Sequence, residues 1–288
     1  MKQALHIKNL TKKYKDFTLD HISLDLPYGM ILGLIGENGS GKSTLINSIL
    51  LNIVKADYDE VHILGQDLKS QEKEIKKEIA VIFNDSHYGE NLTPLFIGKM
   101  LSGIYTDWDQ KKFTDYLKQF HLPEKKRLKT FSTGMKVKLE FAAALSHNPK
   151  LLILDEATNG LDPVFREEIL EILREFTEQE DHSVLISSHI TSDLDKIADY
   201  IAYIHEGRLL FLKSIDELNN DCGIIRCGRE FFDALSPEDI IAYREEPYSY
   251  CVFIKNRQSL RKAFCDISIE NASIEDMMLF YSKGEKII

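Results

Sequence analysis

The sequence has no apolar run near the roughly 18–20 residues that a membrane-spanning helix needs. Its longest candidates, residues 30–35 and 151–154, are strand-sized. The opening Met-Lys-Gln-Ala-Leu-His lacks the apolar stretch of a secretory signal. A cytosolic chain is the expectation, with any membrane role reached through a partner. Long basic stretches are also missing, and the net charge is −10. Nucleic-acid binding rests on clustered Lys and Arg, so this balance argues against nucleic acid as the main partner. The short run Lys125, Lys126, Arg127 reads as a solvated face. Cysteine is sparse: Cys222, Cys227, Cys251 and Cys265 lie in the last quarter, with no CxxC pair and no histidine at finger-like spacing. That pattern fits free thiols in a reducing compartment rather than a structural metal site. Neither an internal repeat nor a low-complexity segment is present.

What is there suffices for one large domain with an appendage, or for two modest domains. The chain has 288 residues, 43% of them hydrophobic and 28% charged. Residues 2–30 alternate as strands do, up to the turn Pro27-Tyr28-Gly29. A continuous apolar strand follows at 30–35, then a glycine-rich loop, then helical spacing from Lys42 to about residue 51. Residues 57–84 read as a strand pair, 60–64 and 80–83, around a charged helix at 70–78. From about 88 to 145 the periods are helical, which predicts a helical subdomain inserted into an α/β core. Two buried strands, 151–155 and 184–188, flank a helix carrying Ile169, Leu170, Leu173 and Phe176. A hairpin at Gly207 leads to a helix capped by Ser214. The expected division is 1–220 as the main α/β domain and 221–288 as a small α+β appendage. The appendage contains strands near 223–227 and 248–254 and a capped amphipathic helix at 273–281.

Gly36-Glu37-Asn38-Gly39-Ser40-Gly41-Lys42-Ser43-Thr44 satisfies G-x-x-x-x-G-K-[ST] between a strand and a helix. Glycines let backbone N–H groups turn inward onto phosphate oxygens, which a Cβ would obstruct. The helix that opens there adds its positive dipole end to the anion site. Lys42 is expected on the β- and γ-phosphates, and the Ser43 hydroxyl on Mg²⁺. Further on, Lys150-Leu151-Leu152-Ile153-Leu154-Asp155-Glu156 is a buried strand ending in two acids. Asp155 is expected to reach the metal. Glu156, one residue nearer the γ-phosphate, is expected to polarise the attacking water.

Between and after these motifs the chain resembles the ABC ATPases, over roughly residues 1–220. Phe131-Ser132-Thr133-Gly134-Met135-Lys136 is similar to the signature of that family, Asn159-Gly160-Leu161-Asp162-Pro163 to its D-loop, and Ser187-Ser188-His189 to its switch histidine. The resemblance implies a P-loop NTPase (RecA-like) core with an N-terminal antiparallel β subdomain and an inserted helical subdomain. It implies an ATP-hydrolysing subunit that uses Mg²⁺, pairs with a second ATPase subunit and docks on membrane permease subunits at the inner face of the cell membrane. ATP would lie between the phosphate loop of one subunit and Ser132 and Gly134 of the other, with Asp162 in the adjoining D-loop. His189 would hydrogen-bond the γ-phosphate, and Tyr14 stands where the family stacks an aromatic on adenine. Asn84 replaces the family's Gln at the Mg²⁺ or the water, one methylene shorter. Thr133 and Met135 replace a common Gly and Gln, and the Ser-x-Gly-Met-Lys form resembles a bacterial branch that pairs with export-type permeases. In such a family the apolar stretch from Tyr88 to Trp108 is where a permease helix docks. A soluble ABC ATPase acting on ribosomes or nucleic acid is the alternative; one motif set, no heptad run and an acidic balance count against it.

Overall fold

The computed structural model describes residues 2–49, 54–84, 88–264 and 267–285. Its centre is a six-stranded sheet in the order β10-β9-β3-β8-β7-β6. The strands are β3 (Ile31–Ile35), β6 (Ile79–Phe83), β7 (Leu151–Asp155), β8 (Ser183–Ser187), β9 (Tyr200–His205) and β10 (Arg208–Ser214). All neighbours run parallel except the edge hairpin β9–β10. β3, β7 and β8 are buried at every residue, as strands covered on both faces must be.

Alternation along one strand shows how the two faces are used. Leu151 and Ile153 of β7 pack with Leu5, Ile7 and Leu24 of a four-stranded antiparallel sheet. Leu152 and Leu154 face the opposite side, among Phe113, Phe141 and Phe165 of the helices. The antiparallel sheet has the order β2-β1-β4-β5, from β1 (Gln3–Lys13), β2 (Thr18–Pro27), β4 (Glu60–Ile63) and β5 (Gln66–Asp67). The expected strand pair within 57–84 is therefore corrected. β4 pairs with β1, whereas β6 belongs to the central sheet beside β7, and α2 (Glu72–Glu78) links the two layers.

The helical region consists of α3 (Pro94–Leu101), α4 (Gln110–Gln119) and α5 (Thr133–Leu145). Thr93 and Asp109 cap the first two by accepting backbone N–H bonds, and Pro94 sits in the first turn, where its missing N–H costs nothing. Phe120 and Phe141 meet Phe165 edge-on, joining this region to α6 (Pro163–Thr177). After α7 (Thr191–Ile197) and α8 (Ile215–Asp221) comes a third sheet, order β11-β13-β12: β11 (Gly223–Cys227), β12 (Ile240–Glu246), β13 (Ser249–Ile254). Apolar spacing carries no clear signal for β12, and Tyr248 lies in the turn before β13, fully exposed. The last helices are α9 (Arg229–Ala234), α10 (Arg257–Ala263) and α11 (Ile274–Lys283), the last with a Ser273–Asp276 capping box. Ile274, Met277 and Phe280 of α11 share a core cluster with Leu194 and Ile197 of α7, and Tyr281 touches Tyr203 and Phe211. Cys222, Cys227 and Cys251 are free thiols, and Cys265 lies outside the described residues. Among the described residues no helix is long and apolar enough to cross a membrane.

Candidate nucleotide site

β3 sits inside the sheet between β8 and β9, and the chain leaves its carboxyl end directly into the glycine loop. Open parallel sheets place ligands at that edge. The loop packs against the sheet with no room to spare: a Cβ on Gly36 would stand 2.3 Å from the Ile204 carbonyl oxygen. α1 (Lys42–Ile49) begins at the lysine itself. Lys42 is 4% exposed, and its ammonium donates to the carbonyls of Gly36 (2.8 Å) and Glu37 (3.1 Å), 4.0 Å from a Glu156 oxygen. Burial pulls its pKa down, and the Glu156 and Asp155 carboxylates oppose that pull.

A cavity of about 160 Å³ opens above the loop, walled by Asn38, Gly39, Gly41, Lys42, Ser43, Thr44 and Glu156. Phe17 completes the wall, a residue that motif reading passes over because it arrives from the β1–β2 turn. Tyr14 is 46% exposed, its ring centre 6.4 Å from that of Phe17, and it is not among the residues that wall the phosphate cavity. Ser40 turns inward instead, 4% exposed, with its carbonyl accepting the Gly207 N–H.

At the end of β7, Asp155 is held on one oxygen by two hydroxyls, Ser187 at 2.6 Å and Ser43 at 3.2 Å. Ser187 also accepts the N–H of Glu156, which takes the left-handed conformation (φ 53°) as the strand breaks. Phe83 of β6 lies in register with Asp155, so Asn84 comes out beside the same edge, with its Oδ1 buried and unpartnered. A hydroxyl, a carboxylate and an amide carbonyl form the hard-oxygen donor set that Mg²⁺ takes, and the unpartnered Asn84 oxygen is an acceptor in want of a ligand. The residues fit the ion.

His189 lies half exposed after β8, its Nδ1 3.8 Å from a Glu156 oxygen. Asn159 joins them, its amide donating to Glu156 Oε2 at 3.1 Å and facing His189 Nδ1 at 3.2 Å. With the amide as donor, the imidazole proton belongs on Nε2. Asn159 was legible as part of the D-loop match, but its bridging position was not. Ser132 and Gly134 lie apart from this cluster. Ser132 is the exposed N-cap of α5, accepting the Met135 N–H at 3.2 Å, and a Cβ on Gly134 would meet nothing within 4 Å. Asp162 caps α6 by accepting the Phe165 N–H at 2.9 Å, with Lys138 at 3.9 Å, and its pKa is lowered by that backbone bond first.

Of the apolar stretch read as a docking face, Phe96, Met100 and Ile104 are exposed, while Tyr88, Leu92, Leu95, Tyr105 and Trp108 are half-buried.

Residues 19–159 match the family described as ABC transporter. The bacitracin transport ATP-binding protein of Bacillus licheniformis is 35% identical over 214 residues, covering 73% of this chain and 69% of that one. A lantibiotic transport ATP-binding protein of Streptococcus pyogenes is 34% identical over 219 residues, 75% of this chain and 93% of its own length. The solved structure of an ATP-binding subunit of an ABC transporter superposes with a TM-score of 0.68 at 26% identity, over 75% of this chain and 92% of that one. With a phosphate loop, a strand ending in two acids and these relatives in agreement, the chain belongs to the ABC transporter family, as one of its ATP-hydrolysing, ATP-binding proteins.

Proposed function

We infer that this chain powers export through a separate permease, by closing on a second ATPase subunit around ATP and reopening after hydrolysis. The observation that carries the reading is the Glu156–Asn159–His189 cluster, whose Glu156 also walls the phosphate cavity. The loop N–H groups and Lys42 bind the phosphates, and Ser43, Asp155 and Asn84 are the residues that hold Mg²⁺, which supplies charge neutralisation on the phosphate oxygens when bound. Glu156 takes a proton from the attacking water, and Asn159 fixes its carboxylate. Nε2–H of His189 donates to the γ-phosphate, since Nδ1 is engaged by Asn159. Tyr14 stacks on adenine.

Ser132 and the α5 N-terminus at Gly134 meet the γ-phosphate of the partner's nucleotide, and Asp162 holds the D-loop against the partner by capping α6. Residues 1–220 form the ATPase domain on this reading, and 221–288 a C-terminal domain packed on it through α11. The permease helix docks beside the exposed Phe96, Met100 and Ile104, which places the chain on the inner face of the membrane. Relatives named for bacitracin and lantibiotic transport, and the Ser-x-Gly-Met-Lys signature, support export as the direction.

The test is phosphate release by the purified chain with its permease, against Glu156→Gln. Loss of turnover with ATP still bound is the expected result. Unchanged turnover removes Glu156 from the reaction. Capture of the tagged chain from detergent-solubilised cells should bring down a polytopic membrane protein; ribosomal proteins or nucleic acid in its place would overturn the transport reading.

A further inference from the structure

The outer face of the antiparallel sheet carries a row of side chains that the ATPase does not use. Asp25 on β2, His6 on β1, His62 on β4 and Asp67 on β5 are successive cross-strand partners. Their strand neighbours Leu5, Ile7, Val61 and Ile63 are all buried, so period-two alternation turns the row outward. Glu60 stands two residues before His62 on the same face. One ligand atom from each of His6, Glu60 and His62 lies within 4.8 Å of the others. His6 Nε2 and a Glu60 oxygen are 3.9 Å apart, too far for a hydrogen bond yet near the roughly 3.4 Å between donors that share a tetrahedral ion at about 2.0–2.1 Å. The two imidazoles are 6.0 Å apart and tilted by 32°.

What lies behind these atoms points the same way. Asp25 accepts from His6 Nδ1 at 2.6 Å, which fixes the tautomer and leaves Nε2 as the free donor atom. Lys8 holds one oxygen of Glu60 at 2.8 Å, leaving the other turned toward His6. Carboxylate-supported histidine is how metal sites orient their ligands, and two imidazoles with one carboxylate suit Zn²⁺ better than the all-oxygen ions Mg²⁺ and Ca²⁺.

We propose that His6, His62 and Glu60 form a Zn²⁺ site, with a fourth position open to solvent, that staples β1 to β4. None of these residues lines the phosphate cavity, but β1 leads into the turn that presents Tyr14 and Phe17, so the staple anchors the base of the aromatic wall. The tag-free full chain, stripped with chelator and kept free of nucleotide, is titrated with Zn²⁺ by calorimetry and with Co²⁺ by visible spectroscopy. One equivalent is expected to bind, with four-coordinate Co²⁺ bands and a raised melting temperature. His62→Ala and His6→Ala should each weaken that site at least about tenfold, and Asp25→Asn by about 10–100-fold, as for outer-shell partners elsewhere. All three positions lie on the outer face, and circular dichroism checks that the variants fold. Absence of stoichiometric binding overturns the proposal. So does equal binding by wild type and both histidine variants, which would assign the ion to the free cysteines or to the acids of the phosphate cavity.

Discussion

On the proposed function, the two halves of the nucleotide site are built on opposite terms. The phosphate-loop half is finished by folding: Lys42 is 4% exposed, Asp155 is bracketed by two hydroxyls, and Gly36 has no space for a methyl group. The signature half is open: Ser132 is exposed and Gly134 has empty space where a side chain would go. One half carries the cost of burying charge within its own fold. On the proposed reading the other defers its contacts until a partner arrives, so that a lone subunit is a poor catalyst and assembly is the control point.

The largest effect is expected inside the finished half. Glu156→Gln should lower turnover by about 10²–10⁴-fold with nucleotide binding retained, read by steady-state phosphate release. A tenfold loss or less would mean the water is positioned by other groups. Next comes acid. His147 follows α5, stacked on Tyr105 at 4.0 Å, and burial, with Asp107 opposing and Lys112 reinforcing, lowers its pKa to about 4. A folded pKa below the unfolded 6.5 means stability present above pH 6.5 and lost as pH falls toward 4. The loss approaches about 3 kcal/mol at 1.36 kcal/mol per pH unit. His147→Phe should flatten that fall in denaturation curves at pH 7 and 4.5. If the variant falls as steeply as wild type, the signature helix is not held at its far end by a neutral imidazole.

The comparison is sharpest with one substitution made twice. Gly36→Ala should cost about 1–3 kcal/mol of stability and abolish nucleotide binding, because the methyl group meets the Ile204 carbonyl. Gly134→Ala, in the first turn of α5, should leave stability within about 1 kcal/mol of wild type. It should still lower turnover of the assembled transporter. Equal stability losses would dissolve the distinction between the halves.

The finished half is displayed by the sequence, as is the signature run 131–136 of the open half. Residues 36–44 and 150–156 are each contiguous, and their chemistry depends on neighbours in the chain, so strand, loop and helix are read from two short runs of letters. Phe17, Ser187 and the bridging role of Asn159 depend on residues brought together by sheet order, which no local period encodes. Strand pairing is hidden for the same reason: residues 60–64 and 80–83 both read as strands, but which sheet takes each is decided by burial against distant layers. β12 hid because its charged end, Arg244-Glu245-Glu246, interrupts the alternation.

Among the described residues α11 is the last helix. Phe280 lies in the same apolar cluster as Leu194 and Ile197 of the helix that follows His189, and the Ile274 N–H is held by Asp195. On a ribosome that helix is made after everything it covers. Until it emerges, the nascent chain shows an apolar patch beside the switch region, the kind of surface that chaperones and proteases read. Damage to α11 would leave that patch uncovered in the folded protein as well, which ties a segment without catalytic motifs to the stability of the helix behind His189.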